Sequence, residues 1–189
     1  MLDQLSSNRL LIIPSKFENH SLGLEAMVTG MGKINVVHKL TSYLEWNKVK
    51  VVILAGYCGG LRGLSVGDIV EPTILIEGDY NCDPIQKYPN LIDYCHGKLL
   101  PNSKRVAFVS QDRFLTYDPY MRTIRNKVLA TDMESYAAAY ICREYKVRFH
   151  CVKIVSDVVG SNSTSDFLGS CKSLNSLLKV TIKKAISEI

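Results

Sequence analysis

The sequence predicts an α/β fold: a single three-layer α/β/α domain over residues 1–189, built around a mixed, mostly parallel sheet. Three observations predict it. Apolar, β-rich runs alternate along the chain with segments of helical period. One run, Val49–Ala55, is apolar almost throughout, as expected of a strand covered on both faces. A chain of 189 residues, 47% of them hydrophobic, can also fill one substantial core but not two full-sized ones.

The elements follow in order. Arg9–Pro14 and Glu25–Thr29 read as strands. Lys33–Trp46 carries Val36, Val37, Leu40, Tyr43 and Leu44 at helical spacing. After the Val49–Ala55 strand, the glycines of Gly56–Gly67 predict a turn, and Asp68–Ile76 a further strand. Asn81–Pro89 reads as loop, Leu91–Leu100 as a short helix, and Arg105–Ser110 as a strand. Val128–Ala130 is a brief strand before Met133–Tyr145, which is Ala-rich and helical. Phe149–Ser156 is again a strand, Gly160–Ser165 a polar loop with capping residues. The closing helix spaces Phe167, Cys171, Leu174, Leu178 and Ile182 in steps of three and four.

Composition excludes several classes. The charged fraction of 22% is that of an ordinary globular chain, not a disordered one. No apolar run approaches the roughly 18 residues of a membrane span, and Met1–Arg9 lacks the order of a secretory signal. The net charge of +5 is spread along the chain, so a solvated surface is expected rather than a nucleic-acid or membrane partner. The six cysteines form no CxxC pair and no metal-type spacing with the four histidines, and several lie in apolar runs. Free buried thiols and a reducing, cytoplasmic setting are the expectation.

Ligands of open α/β sheets bind beyond the carboxyl ends of the strands. Six segments stand there: Pro14–Glu18, Gly30–Lys33, Gly56–Gly60, Ser110–Phe114, Thr131–Glu134 and Ser156–Asp157. Four carry a carboxylate and two present glycine-rich backbone. The Gly30-Met31-Gly32 turn opening a helix is suited to an anion or a sugar. It is not a dinucleotide fingerprint: position 35 is Asn where the third glycine would stand.

Four motifs occur in order: Thr29-Gly-Met-Gly-Lys33, Ala55-Gly-Tyr-Cys-Gly-Gly-Leu61 with Val66-Gly-Asp-Ile-Val70, Asp132-Met-Glu-Ser135, and Ile154-Val-Ser-Asp157. Together they resemble the nucleoside phosphorylase/nucleosidase superfamily, most closely its 5′-methylthioadenosine/S-adenosylhomocysteine nucleosidase branch. The resemblance runs from about position 9 to the C-terminal helix. The segments Glu18–Thr29 and Gln86–Ser103 are shorter than that branch's pattern.

The resemblance implies hydrolysis of the N-glycosidic bond of an adenine nucleoside, without cofactor or metal, in a homodimer. It also implies the roles. Asp157 would protonate the purine at N7; the apolar strand before it favours a held proton, although a turn or N-cap Asp is the bland alternative. Glu18 would activate water, with Asn19 the alternative alignment. Glu134 would accept the ribose hydroxyls and Met133 would pack on the sugar. Either Glu134 or Asp132 could instead offset the helix dipole. Phe114 would stack on the base, with the Leu115 backbone reading its edge, Gly59 and Ser156 lining the substrate, and Lys153 supporting the water-activating acid. Cys58 is expected only to pack. A phosphorylase would need arginines for phosphate, and Val51–Ala55 contains none; a futalosine-type nucleosidase is expected to carry Asn at position 157. A non-catalytic nucleoside binder is the remaining alternative, with loss of an acid as its signature.

Overall fold

The computed structural model of the chain describes residues 8–19, 22–80, 90–115, 128–160 and 163–189, with backbone alone at 163–166. Its strands are β1 (Arg9–Ile13), β2 (Met27–Val28), β3 (Val51–Gly60), β4 (Ile69–Glu77), β5 (Leu91–Ile92), β6 (Lys104–Ser110), β7 (Ala130–Asp132) and β8 (Arg148–Val158). Its helices are α1 (Lys16–Asn19), α2 (Lys33–Trp46), α3 (Ser135–Glu144) and α4 (Ser163–Ser187).

Eight strands form one sheet in the order β2-β1-β3-β7-β6-β4-β5, with β8 joined to both β3 and β4. Five of its eight pairings are parallel; β3–β7, β4–β5 and β4–β8 are antiparallel. The path β3–β8–β4–β6–β7 returns to β3, so this part of the sheet closes on itself while β1 and β2 continue as an open flank. The closure depends on the length of β3. Its first residues pair with β1 through Leu54, and Gly59 and Gly60 pair with β7 on the edge that β1 leaves free.

Alternation along β1 and β3 explains the three layers. Leu10, Ile12, Val52 and Leu54 point to the core under α2 and α3, which contribute Val36, Leu40, Leu44, Tyr136 and Cys142. Leu11, Ile13, Ile53 and Ala55 point to the opposite core under α4, with Leu178 and Ile182. Each Leu, Ile or Val among them contributes about 1.5–3 kcal/mol when removed from water.

The structure corrects several expectations. Gly56–Gly60 is not a turn but the second half of β3; its glycines make room for side chains rather than reversing the chain. A Cβ on Gly56 would stand 2.5 Å from Glu18 Oε1, and one on Gly59 would stand 2.9 Å from Thr131 Cγ2. Leu91–Leu100 is not a helix. Leu91 and Ile92 pair with β4, and the N–H groups of Leu99 and Leu100 donate to the buried Glu71 carboxylate at 2.8 and 3.0 Å, which leaves those donors unavailable to a helix. The second strand shrinks to Met27–Val28, the seventh moves to Ala130–Asp132, and α3 begins at Ser135 rather than Met133. Asn81–Pro89 lies outside the described residues, as do 161 and 162 of the polar loop before α4. No helix among the described residues is long and apolar enough to cross a membrane.

Cys58, Cys142 and Cys151 are buried, Cys95 and Cys171 partly so, and all five are free. Burial pushes the Cys95 thiol up to about 12, away from the reactive thiolate. Cys82 lies outside the described residues, and the sequence expectation of a free thiol extends to it. Titration of the denatured, unreduced protein with a thiol reagent should give six thiols per chain; a count of four or fewer would contradict this packing role.

Candidate active site

A cavity of about 410 Å³ opens where the strands end, and each of the six segments named above contributes to its wall. Pro14, Glu18, Tyr57, Cys58, Gly59, Thr131, Asp132, Met133, Glu134, Ser156 and Asp157 form its inner part. Met31, Arg113, Phe114 and Leu168 are exposed and stand at its mouth. Of the site residues expected from sequence, only Lys153 is absent from the wall.

The Glu18 carboxylate is held from both sides. Its Oε2 accepts from the Ser15 amide at 2.9 Å and the Ser15 hydroxyl at 2.8 Å, and its Oε1 accepts from the Tyr57 amide at 2.8 Å. The last contact explains Gly56, since only a residue without a side chain lets β3 approach α1 this closely. Burial raises the Glu18 pKa, opposed by the field of Lys153 and by these hydrogen bonds. Asn19 does not line the cavity.

Asp132 and Glu134 divide two roles that composition left undecided. Asp132 turns inward to the protein: it accepts from the Ser110 hydroxyl at 2.6 Å, from the Ser135 hydroxyl, and from the Ser135 amide at 3.1 Å in the first turn of α3. Glu134 opens that helix without capping it, and its Oε1 accepts from the Gly32 amide at 2.9 Å. Burial raises the Glu134 pKa to about 7, against the lowering field of Lys153 and with the help of Asp132 and Glu18.

Lys153 lies in the interior of the sheet with no solvent exposure. Its Nζ is 3.2 Å from Asp132 Oδ2 and 3.6 Å from Glu134 Oε2. Burial by itself favours the neutral amine, but these carboxylates raise the pKa of Lys153. The ammonium therefore contacts the expected ribose acid directly and reaches Glu18, the acid it was expected to support, only through its longer-range field.

Asp157 is placed by a β-bulge. Cys58 pairs with Val155 and Gly59 with Asp157, which leaves Ser156 as the additional residue on β8. The Ser156 hydroxyl donates to Asp157 Oδ1 at 2.7 Å and lies 3.2 Å from the Cys58 carbonyl, anchoring one carboxyl oxygen. Asp157 is 2% exposed, within walls that are mostly apolar.

Aromatic rings close the opposite side. Phe114 meets Phe167 edge to face with centroids 5.7 Å apart, and Phe167 meets Tyr57 at 6.4 Å. Phe167 and Leu168 were missed as cavity residues. The helical spacing of Phe167 marked only a core face, and no local pattern distinguishes a residue at the end of such a face that also turns toward a pocket. The Gly30–Lys33 turn does bind anions, but they are the protein's own: Gly32 donates to Glu134 and Lys33 to Asp112.

The phosphorylase superfamily model matches residues 25–187. The 5′-methylthioadenosine/S-adenosylhomocysteine nucleosidase of Buchnera aphidicola is 26% identical, covering 86% of this chain and 80% of its own. That of Haemophilus ducreyi is 28% identical, over 82% and 75%. Among solved structures, the Neisseria meningitidis nucleosidase in complex with methylthio-immucillin-A aligns with a TM-score of 0.84 at 20% identity, covering 97% of this chain and all of that one. Helicobacter pylori futalosine hydrolase aligns with a TM-score of 0.82 at 14% identity, over 97% and 99%. The order of motifs, the partly closed mixed sheet and the family match over most of the chain lead to one conclusion: this chain belongs to the phosphorylase superfamily.

Proposed function

We propose that this chain hydrolyses the N-glycosidic bond of an adenine nucleoside of the methylthioadenosine or adenosylhomocysteine type, releasing adenine and a 5-thio-substituted ribose. The observation that carries this reading is the convergence of Glu18, Glu134 and Asp157 on one cavity that has an aromatic side and a small buried floor.

In this reading the base lies against Phe114, with the Leu115 backbone at its edge and Ser156 and Gly59 beside it. Asp157 gives its proton to N7, so the bond between C1′ and N9 breaks with a neutral base as leaving group. The sugar becomes oxocarbenium-like, and the surrounding carboxylates stabilise that positive charge. Glu18 takes a proton from water as its oxygen attacks C1′; a carboxylate whose pKa is raised is the better base. Ionised Glu134 accepts the ribose hydroxyls while Met133 packs on the ring, and Lys153 stabilises that ionised form.

Electrostatics favours water over phosphate as nucleophile. Four carboxylates line the cavity, and Arg113 is the sole cation on its described wall. A phosphate dianion would meet more repulsion than attraction there, without the paired arginines that recognise it bidentately. Asp157 favours adenine, since an acid can serve both N7 and the 6-amino group. The Pro14-Ser-Lys-Phe-Glu18 loop resembles the futalosine branch, which makes futalosine the second substrate to assay. A second copy of the chain is the natural cover for the mouth, where Met31 is 55%, Leu168 61% and Phe114 41% exposed. We place this activity in one domain, in a reducing cytoplasmic compartment, within purine and methionine salvage.

Chromatography of reactions with and without phosphate tests the reaction class. Free adenine and a free thioribose should form at the same rate in both; a strict requirement for phosphate, with a sugar 1-phosphate as product, would overturn the reading. The roles separate by mutation. Asp157→Asn keeps the shape but lacks the proton, so kcat should fall by about 10²–10⁴, equivalent to ~3–5 kcal/mol of barrier, with adenine affinity changed far less. Glu134→Gln should impair nucleoside binding and turnover together. Near-native kcat in Asp157→Asn would remove Asp157 from the mechanism.

A further inference from the structure

The Lys33 side chain, the last residue of the Thr29-Gly-Met-Gly-Lys33 motif, does not line the cavity, and the chemistry above assigns it nothing. Its side chain is nevertheless only 15% exposed, and its ammonium is ion-paired with Glu77 at 3.0 Å and with Asp79. We propose that Lys33 is a positioning residue: it pins the first turn of α2 so that the Gly32 amide holds Glu134 while the Lys33 amide holds the loop carrying Phe114.

The geometry connects three parts of the site through this one side chain. Glu77 ends β4 and is itself fixed by Asn90 Nδ2 at 2.9 Å. Asp79 also accepts from the Asp112 amide at 2.8 Å, and Asp112 Oδ1 accepts from the Lys33 amide at 2.7 Å. Asp112 stands two residues before Phe114. On the neighbouring amide, Gly32 donates to Glu134 Oε1 at 2.9 Å. Gly32 has φ 92°, and a Cβ there would come within 3.1 Å of Asp112 Oδ1, so the turn is closely fitted to the acids it binds. Without the ammonium, Glu77 and Asp79 would lose the cation that pairs them and would repel each other and the nearby Asp112, loosening the α2 turn from the 111–115 loop.

The consequence for Glu134 has a definite sign. Lys153 from β8 faces it as the cation, Asp132 from β7 and Glu18 from α1 as acids, and the Gly32 amide as the donor from α2. The Gly32 hydrogen bond lowers the Glu134 pKa, so its loss raises the pH at which Glu134 ionises.

The test compares Lys33→Met and Lys33→Arg with Lys104→Met, which breaks the exposed pair to Asp68 instead. Only the kinetic arm rests on the nucleosidase reading. In the unliganded protein, the Gly32 amide proton shift should follow Glu134 with a midpoint near 7 in wild type, Lys33→Arg and Lys104→Met. In Lys33→Met that response should shrink by half or more and its midpoint should rise. With a nucleoside substrate, Lys33→Met should raise KM about tenfold and lower kcat less, with Lys33→Arg recovering most of the loss; small misplacements of a site have effects of this order. Should Lys33→Met not fold, Lys33→Met/Asp79→Asn keeps the local charge balance and carries the same comparison. An unchanged Gly32 titration in Lys33→Met, or in that double variant, would overturn the proposal. A wild-type chain inactive on every nucleoside would instead overturn the functional reading, leaving the amide titration to decide the role of Lys33.

Discussion

The fully buried ammonium of Lys153, with Asp132 and Glu134 3.2 and 3.6 Å away and Glu18 within its field, is the constraint to which the site is built. Removing one charge from water costs several kcal/mol unless partners replace the lost solvation. Asp132 is such a partner, and its other contacts fix the end of β7 and the start of α3. Glu134 follows two residues later and is brought to the cavity by that same turn. One cation thereby holds a structural acid and a cavity-lining acid together. Burial raises the Glu134 pKa, and a cation shared with Asp132 and Glu18 does not offset it: the pKa stands at about 7 against an ordinary 4.5. Under the proposed function, a carboxylate poised in this way gains more from two ribose hydroxyls than one already satisfied by the protein.

The remaining acids are positioned by backbone rather than by charge. Glu18 is held by the Ser15 and Tyr57 amides, which requires glycine at position 56, and Asp157 is presented by the bulge at Ser156. These devices belong to the closed part of the sheet, where β3 changes partners from β1 to β7. The fold and the site therefore share their specifications: a side chain at Gly56 or Gly59 would disturb a strand crossing and a cavity wall together.

This also explains what the sequence revealed and what it hid. Val49–Ala55 was legible as a buried strand because both faces demand apolar residues, and its Val51–Ala55 part is the first half of β3. The motifs contained Glu134 and Asp157, and the resemblance they carry pointed to Glu18 and Phe114; all four line the cavity. Gly56–Gly60 misled because glycine was read as a chain reversal, whereas here it permits close approach by Glu18 and Thr131. Leu91–Leu100 misled because its backbone donors are taken by Glu71 and β4, partners remote in sequence. Phe167 and the placement of Lys153 against Asp132 arise from tertiary packing, which no local pattern encodes.

If Lys153 and the surrounding acids act as described, Glu134 must ionise near neutrality in the unliganded protein. Carboxyl-carbon NMR of protein labelled at glutamate, with Glu134→Gln to assign its signal, measures this directly. The account predicts a Glu134 midpoint near 7. A midpoint near the ordinary 4.5 would contradict it, because burial beside Asp132 and Glu18 would then be fully offset by Lys153.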